Sequence, residues 1–442
     1  MRHQPTKDSA TALKVYLTAL GCKLNQSEAE SWARSLAAAG FDIVDDPASA
    51  DLSIVNTCTV THVAARKSRQ RVRQCARANP QARVVVAGCF AEMSPAQAKR
   101  LPRVCSVVGT AGKEQLVETI CAESGLAPPV VPGPTQRPPG AHTRAFVKIQ
   151  DGCDNACTYC IVRVARGPQR SRPSEAILDE VLARQAEGYQ EIVLTGVHIG
   201  AYGRDRGQTL AGLVDGILER THCPRLRLSS IEPWDLTPDL LARWENPRLC
   251  RHLHLPLQSG CDATLKRMNR RYTTAQYSDL LCAARRAIPD LAVTTDLIVG
   301  FPGEDQSEFE ASAEFVERMA FARLHVFPYS ARQGTVAGGM SAQVSATVKK
   351  KRAAHMADIG RRCAMAFQRR FVGRTMDVLW ETQRSGQWNG LTDNYIRVWV
   401  QSPQPLWNCI LPARLIEVTP RGMRGELAVS AVPQGGATST WR

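Results

Sequence analysis

The chain has 442 residues, with 56 lysines and arginines against 41 aspartates and glutamates, a formal net charge of +15. No run approaches the ~20 apolar residues of a membrane span, and fifteen cysteines spread over so long a chain are not the disulfide framework of a small secreted domain. Those two classes are excluded, which leaves a multidomain protein with reduced cysteines, several of them metal ligands. The polar start, Met1 to Thr11, and an apolar run at Val15–Leu20 that is broken by Gly21 and Lys23 do not make a signal peptide, so a cytoplasmic location is expected. The basic excess suits either solubility or a polyanionic partner.

Residues 13–123 alternate strand and helix. Val15–Leu20, Leu52–Asn56, Arg83–Ala87 and Val104–Val108 are predicted strands, with helical stretches near 27–39, 62–78, 94–100 and 113–121. This alternation predicts a parallel α/β sheet. Cysteines stand just past three of the strands, in Ala-Leu-Gly-Cys22, Val-Asn-Thr-Cys58 and Val-Ala-Gly-Cys89. Carboxyl ends of parallel strands share one rim where ligands bind, so the three can converge in space. Position alone leaves equal room for three unrelated buried cysteines. On the helix at 62–78, Arg66, Arg69, Arg73 and Arg77 share a face opposite Ala64, Ser68, Val72 and Cys75. The stripe is either a solvated face or a phosphate-binding one.

A proline-rich linker, 124–143, contains Pro128, Pro129, Pro132, Pro134, Pro138 and Pro139 and marks a boundary. Residues 144–371 hold six further βα units, with predicted strands at Phe146–Gln150, Glu191–Thr195, Arg225–Ser230, His252–Leu255, Ala292–Val299 and Leu324–Phe327. They predict a partial (β/α) barrel of the TIM type, with its chemistry at the C-terminal strand ends. The loop after the first strand carries Cys153, Cys157 and Cys160. Three thiolates hold three irons of a cube that needs four cysteines for full protein ligation. The open iron suits S-adenosylmethionine. A zinc knuckle is the alternative, and it lacks a second cysteine pair nearby. Later strands end in Thr195-Gly196-Val197-His198, Ser230-Ile231-Glu232-Pro233, Leu257-Gln258-Ser259-Gly260 and Gly300-Phe301-Pro302-Gly303-Glu304. His198, His252 and His254 are expected to pack or hydrogen-bond. Arg166, Arg170 and Arg172 crowd the cysteine loop, and a basic helix near 344–371 extends the basic surface. Residues 372–435 have the short alternating strands of a small β-barrel.

The Cys-x3-Cys-x-aromatic-Cys loop resembles the radical S-adenosylmethionine superfamily. Ile161-Val162, the run Ala165 to Arg172, Gly21 to Glu28 and Asn56-Thr57-Cys58 resemble its methylthiotransferase branch; Arg163 stands where proline is expected. Met376–Val418, with Asn389-Gly390 and the run Thr392 to Val398, resembles the RNA-holding TRAM domain, and Trp388, Tyr395 and Trp399 could offer stacking faces. The resemblance spans residues 14 to 420. It implies two [4Fe–4S] clusters, one on Cys153, Cys157 and Cys160 and one on Cys22, Cys58 and Cys89. It also implies two S-adenosylmethionine molecules per turnover. Thr195 and Gly196 would meet the methionine amino group, Ser230 and Glu232 the ribose or carboxylate, and Tyr159, Ile298 and Gly300 the adenine.

The implied reaction transfers a methylthio group to C2 of N6-threonylcarbamoyladenosine at position 37 of tRNA, after a 5′-deoxyadenosyl radical removes the C2 hydrogen. Arg66, Arg69, Arg73, Arg77, Arg166, Arg170, Arg172 and Tyr395 would contact the RNA. A flavodoxin or ferredoxin would supply electrons to a monomeric enzyme. The alternatives are the isopentenyladenosine-37 branch, the branch that modifies a ribosomal-protein aspartate, and a non-catalytic iron–sulfur RNA-binding protein.

Overall fold

The computed structural model describes residues 12–127 and 137–428. Pro128, Pro129, Pro132 and Pro134, and the end of the expected β-barrel segment at 435, lie outside the described residues. The first unit is a five-stranded parallel sheet of β1 (Lys14–Ala19), β2 (Asp42–Val44), β3 (Leu52–Thr57), β4 (Arg83–Gly88) and β5 (Val104–Val108), in the order β2-β1-β3-β4-β5. Helix α1 (Lys23–Ala38) follows β1, α2 (His62–Ala78) follows β3, and the short α3 (Cys89–Met93) follows β4. Central strand β3 is buried along its whole length, as helices on both faces of a parallel sheet require. Strand order reverses at β1, and the crevice opens there beyond the carboxyl ends. The edge strand β2 falls outside the predicted strands. The helix expected near 94–100 is Pro95–Lys99; the short α3 before it falls outside the expected helices and stops there because Pro95 lacks the N–H that would continue it.

In the second unit, six parallel strands form an open arc: β6 (Ala145–Lys148), then β9 (Glu191–Thr195), β10 (Arg225–Leu228), β11 (His252–His254), β12 (Ala292–Val299) and β13 (Arg323–Pro328). Between β6 and β9, an antiparallel pair, β7 (Gln150–Asp151) with β8 (Arg170–Ser171), clasps the two ends of the cysteine loop. The arc is hydrogen-bonded as β6-β9-β10 and β11-β12-β13, linked by the single bridges Leu226–Leu249 and Ser230–His254. Among the described residues β6 and β13 do not pair, so the arc is open on one side.

The sheet unit fills that opening. Ser27 of α1 donates its hydroxyl to the Phe146 carbonyl on β6 at 2.8 Å. At the other edge, Arg332 beyond β13 reaches the Thr59 hydroxyl at 2.6 Å, and Ser330 accepts from the His62 N–H at 3.2 Å.

The third unit is a closed barrel of β14 (Thr375–Arg384), β15 (Gln387–Thr392), β16 (Arg397–Gln401), β17 (Ile410–Thr419) and β18 (Gly422–Leu427), in the order β14-β15-β16-β18-β17. It docks under the N-terminal ends of the arc. Arg225, the first residue of β10, donates to the carbonyls of Leu391 and Asp377 at 2.9 and 2.7 Å, and Arg251, just before β11, pairs with Asp393 at 2.6 Å. Among the described residues no ion pair joins this unit to the C-terminal strand ends.

Candidate active site

Cys22 caps the start of α1, Cys58 follows β3, and Cys89 opens α3 after β4. All three therefore lie on the carboxyl rim, and their thiols are electrostatic neighbours. Gly21 and Gly88 precede two of them with φ of +95 and +96. A Cβ on Gly21 would stand 2.6 Å from Cys58 Sγ, so only glycine lets these backbones approach. Cys58 and Cys89 are buried while Cys22 is exposed. Burial pushes the Cys58 thiol up to about 11. Such thiols ionise against a strongly bound cation. Three soft sulfurs fit an iron–sulfur cluster, whereas a structural zinc site would lack its fourth ligand.

Cys153, Cys157 and Cys160 lie at the C-terminal mouth of the arc. The Cys160 N–H donates to the Cys157 carbonyl at 3.1 Å, and the Asn155 N–H to Cys153 Sγ at 3.4 Å. Arg270 Nη1 donates to Cys157 Sγ at 3.5 Å while its other nitrogen pairs with Glu232. His198 Nδ1 is 3.9 Å from Cys153 Sγ, and its Nε2 is 2.5 Å from Asp235. Burial opposes a charge on His198, but hydrogen bonds to Asp235 and Cys153 outweigh it and hold the imidazole at about 9. Burial pushes Cys160 up to about 12 and raises Cys157. Two cations thus flank three sulfurs, an arrangement that stabilises an anionic cluster. The sequence reading missed Arg270, which is 113 residues from Cys157, and Asp235; only the fold brings them to the loop.

Arg166 is a correction. Expected to face RNA, it is buried, and its guanidinium donates to Asp151 at 2.8 Å, Glu28 at 3.1 Å and Asn25 at 2.6 Å. Lys113 and Lys148 also reach Glu28, at 2.5 and 3.4 Å. Burial opposes ionisation of both carboxyls, yet Lys113, Arg166 and Lys148 hold Glu28 well below its ordinary range, and Arg166 and Lys148 lower Asp151. The network ties α1, which starts at Cys22, to the loop of the other trio. Arg172 is also occupied, by the Lys148 carbonyl at 2.5 Å and Glu180 at 2.6 Å. Of the three loop arginines only Arg170 is exposed.

The residues expected around S-adenosylmethionine lie mostly around the mouth. Thr195 ends β9, and a Cβ on Gly196 would stand 2.9 Å from the Gln150 carbonyl oxygen. Ser230 bridges to His254. Glu232 reaches the cysteine loop through Arg270. Tyr159 and Ile298 pack on the cluster of Met268, Phe301, Tyr329 and Ala337. Gly300, φ +70, turns toward Lys349 and gives its N–H to Glu304 at 2.9 Å.

Tyr395 is a second correction. Its ring is not free to stack on a base, because it stacks on His252 at the base of the arc, with centroids 4.5 Å apart and 22° between planes. Its hydroxyl accepts from Arg144 Nη1 at 3.1 Å, and Arg227 and Lys23 stand 4.7 and 5.9 Å from its ring centroid. Trp388 is a core residue of the closed barrel, and Trp399 donates to the Arg421 carbonyl at 3.1 Å. His252 and His254 both contact the Thr294 hydroxyl, at 3.1 and 2.9 Å, the hydrogen-bonding role expected of them. Around the base, the five cations Arg144, Arg225, Arg227, Arg251 and Lys23 face four carboxylates among the described residues, Glu191, Glu381, Asp393 and Asp290.

This excess has a spectroscopic consequence. Burial alone would raise the Tyr395 phenol, but Arg144, Lys23 and Arg227 outweigh it and bring it down to about 8. A phenol held below the unfolded value of about 10 stabilises the fold above that pH, and the gain is lost as pH falls through about 8. Alkaline titration should show one tyrosinate absorbance step near the lower value, absent from Tyr395→Phe. Ionisation of every tyrosine near the ordinary value would contradict the charge excess.

On α2 the buried face is Ala65, Ser68, Val72, Cys75 and Ala76, with Ala65 in the place expected of Ala64. Arg66, Arg73 and Arg77 are exposed, while Arg69 lies over the Phe90 ring at 5.8 Å. Ser68 accepts from the Cys58 N–H at 3.0 Å and donates back to its carbonyl at 2.9 Å, so the stripe and the first trio share one rigid element.

An open arc of parallel strands with three thiols at its C-terminal mouth defines a radical S-adenosylmethionine enzyme. Residues 147–316 match the Radical SAM superfamily, and residues 14–109 match the Uncharacterized protein family UPF0004. The chain is 37% identical over 394 residues to the threonylcarbamoyladenosine tRNA methylthiotransferase MtaB of Thermotoga maritima, covering 87% of this chain and 90% of that one. The Bacillus subtilis protein of the same name is 36% identical over 422 residues, covering 90% and 92%. A tRNA-2-methylthio-N(6)-dimethylallyladenosine synthase from Thermodesulfovibrio yellowstonii is 32% identical, covering 83% and 88%. Among solved structures, the radical S-adenosylmethionine methyltransferase TsrM of Kitasatospora setae, with cobalamin and a [4Fe–4S] cluster bound, is similar in fold with a TM-score of 0.56. It is 16% identical, and the match covers 74% of this chain and 77% of that one. The chain belongs to the methylthiotransferase family of radical S-adenosylmethionine enzymes, whose superfamily uses a [4Fe–4S] cluster and S-adenosylmethionine.

Proposed function

We propose that this protein places a methylthio group on C2 of N6-threonylcarbamoyladenosine at position 37 of tRNA. The observation that carries this reading is the closure of the open arc by the sheet unit. It sets the rim of Cys22, Cys58 and Cys89 against the same barrel as Cys153, Cys157 and Cys160, and the Thermotoga and Bacillus relatives named for threonylcarbamoyladenosine, at 37% and 36% identity, stand above the two named for dimethylallyladenosine, at 32% and 35%. Each trio would hold a [4Fe–4S] cluster; when bound, the two would supply one-electron cleavage of S-adenosylmethionine and a sulfur atom for transfer, with two S-adenosylmethionine molecules used per turnover.

The chain's own residues do the positioning. Arg270 and His198 balance charge beside the mouth trio, and Arg166 holds the two cysteine-bearing units together. Thr195, Gly196, Ser230, Glu232, Tyr159, Ile298 and Gly300 shape the cofactor's surroundings. The substrate base leaves its stack to enter the barrel, as bases modified at ring atoms must. A one-electron donor such as flavodoxin or ferredoxin serves a monomeric, cytoplasmic enzyme.

The exposed arginines of α2 bind the RNA backbone. Arg66→Glu with Arg73→Glu should weaken tRNA binding and lower the slope of log affinity against log salt by about 2; an unchanged slope makes the stripe a solvated face. The reading as a whole is tested by nucleoside mass spectrometry of tRNA from cells lacking this protein. The methylthio group should vanish from threonylcarbamoyladenosine and persist on isopentenyladenosine. The opposite pattern would assign the enzyme to the other branch.

A further inference from the structure

We infer that the cationic base of the barrel is a carboxylate-binding site, and that it takes the threonyl carboxylate of the substrate's N6 side chain. The inference rests on the substrate reading above and names the residues that read it. The arginines at the base have their carboxylate or carbonyl partners, whereas Lys23 has no ion pair and no hydrogen bond from its ammonium among the described residues. A partly buried cation crowded by arginines and left unpaired is costly unless a ligand completes it. A second group points the same way: His252 Nδ1 is buried without a partner, and an N6 substituent with urea N–H and hydroxyl groups can supply one.

Placement agrees with the chemistry. Lys23 follows Cys22 at the first turn of α1, so the ammonium and a thiol of the sulfur-donating trio spring from adjacent residues. In adenine, C2 and the carbon bearing N6 flank the same ring nitrogen. A base that turns C2 toward that trio therefore carries its N6 substituent along the same edge, toward Lys23, Arg144 and Tyr395. A dimethylallyl group there offers no charge and leaves Lys23 unpaired, so the site also rejects the wrong substrate.

The test uses reconstituted full-length protein and two anticodon stem-loop RNAs. One carries threonylcarbamoyladenosine at position 37, and the other its carboxamide, which differs only in the lost charge. Wild type should bind the carboxylate RNA about 10- to 100-fold more tightly, the range of one charge-assisted contact. Lys23→Met should bring the carboxylate RNA down to the affinity of the carboxamide RNA and leave the latter unchanged; Lys23→Arg should restore the preference. Equal wild-type binding of the two RNAs overturns the proposal, and so does an equal loss for both in Lys23→Met. The wild-type comparison stands even if the methionine variant folds poorly. Failure of the substrate reading is separately visible, as no methylthiolation of the threonylcarbamoyl RNA by wild type, and it overturns both.

Discussion

Cys157→Ala is expected to abolish 5′-deoxyadenosine formation, whereas Cys22→Ala with Cys58→Ala and Cys89→Ala should retain that activity and lose methylthio transfer alone. The two trios have separate local supports. The mouth loop is held by the Asn155 N–H on Cys153, by Arg270 on Cys157 and by the clasp of β7 with β8. The sheet trio is held by Gly21, Gly88 and the Ser68–Cys58 pair. Emptying one site therefore leaves the other folded. Reconstituted wild type should hold about eight irons, two four-iron cubes, and each variant about four. An unchanged iron count in the triple variant would remove the second cluster, and 5′-deoxyadenosine from Cys157→Ala would remove the mouth loop from the chemistry.

The second large effect is structural. Arg166→Met should destabilise the junction of the sheet unit with the arc by about 3 kcal/mol, because removing one member of a buried ion network leaves its partners short of charge. Glu28 keeps Lys113 and Lys148, and Asp151 keeps Lys148, which places the cost at the lower end for such a site. Asn25 loses its guanidinium partner outright. Exchange of the buried α1 amides should accelerate roughly a hundredfold, the equivalent of that free energy. A change below threefold would show that the two lysines suffice.

The arc and the sheet were legible chiefly through strands that are short apolar runs ending at or next to glycine or threonine, such as β3, β4, β5, β9 and β12. Val104–Val108, Glu191–Thr195 and Ala292–Val299 coincide with their expected spans. Strand β2 was not, since three partly exposed edge residues carry little apolar signal. The cysteines could be placed by position, because a residue past a parallel strand must lie on the carboxyl rim. The arginines could not. Charge and periodicity say which helix face an arginine occupies, and they placed Arg66, Arg73 and Arg77 outside. They do not say that Arg166 meets Glu28 at a separation of 138 residues. Tyr395 was misread for the same reason: its neighbours His252, Arg144 and Lys23 belong to the other two units. Lys23 was read only as a break after an apolar run, inside a motif valued for its cysteine.

The most direct measurement is mass spectrometry of RNA treated with the purified, reconstituted enzyme, S-adenosylmethionine and a low-potential reductant. Anticodon stem-loops with threonylcarbamoyladenosine or isopentenyladenosine at position 37 are offered in competition. The account predicts a methylthio group on C2 of threonylcarbamoyladenosine, with the isopentenyl RNA unchanged. Methylthiolation of the isopentenyl RNA in preference, or of neither RNA while 5′-deoxyadenosine accumulates, would contradict it.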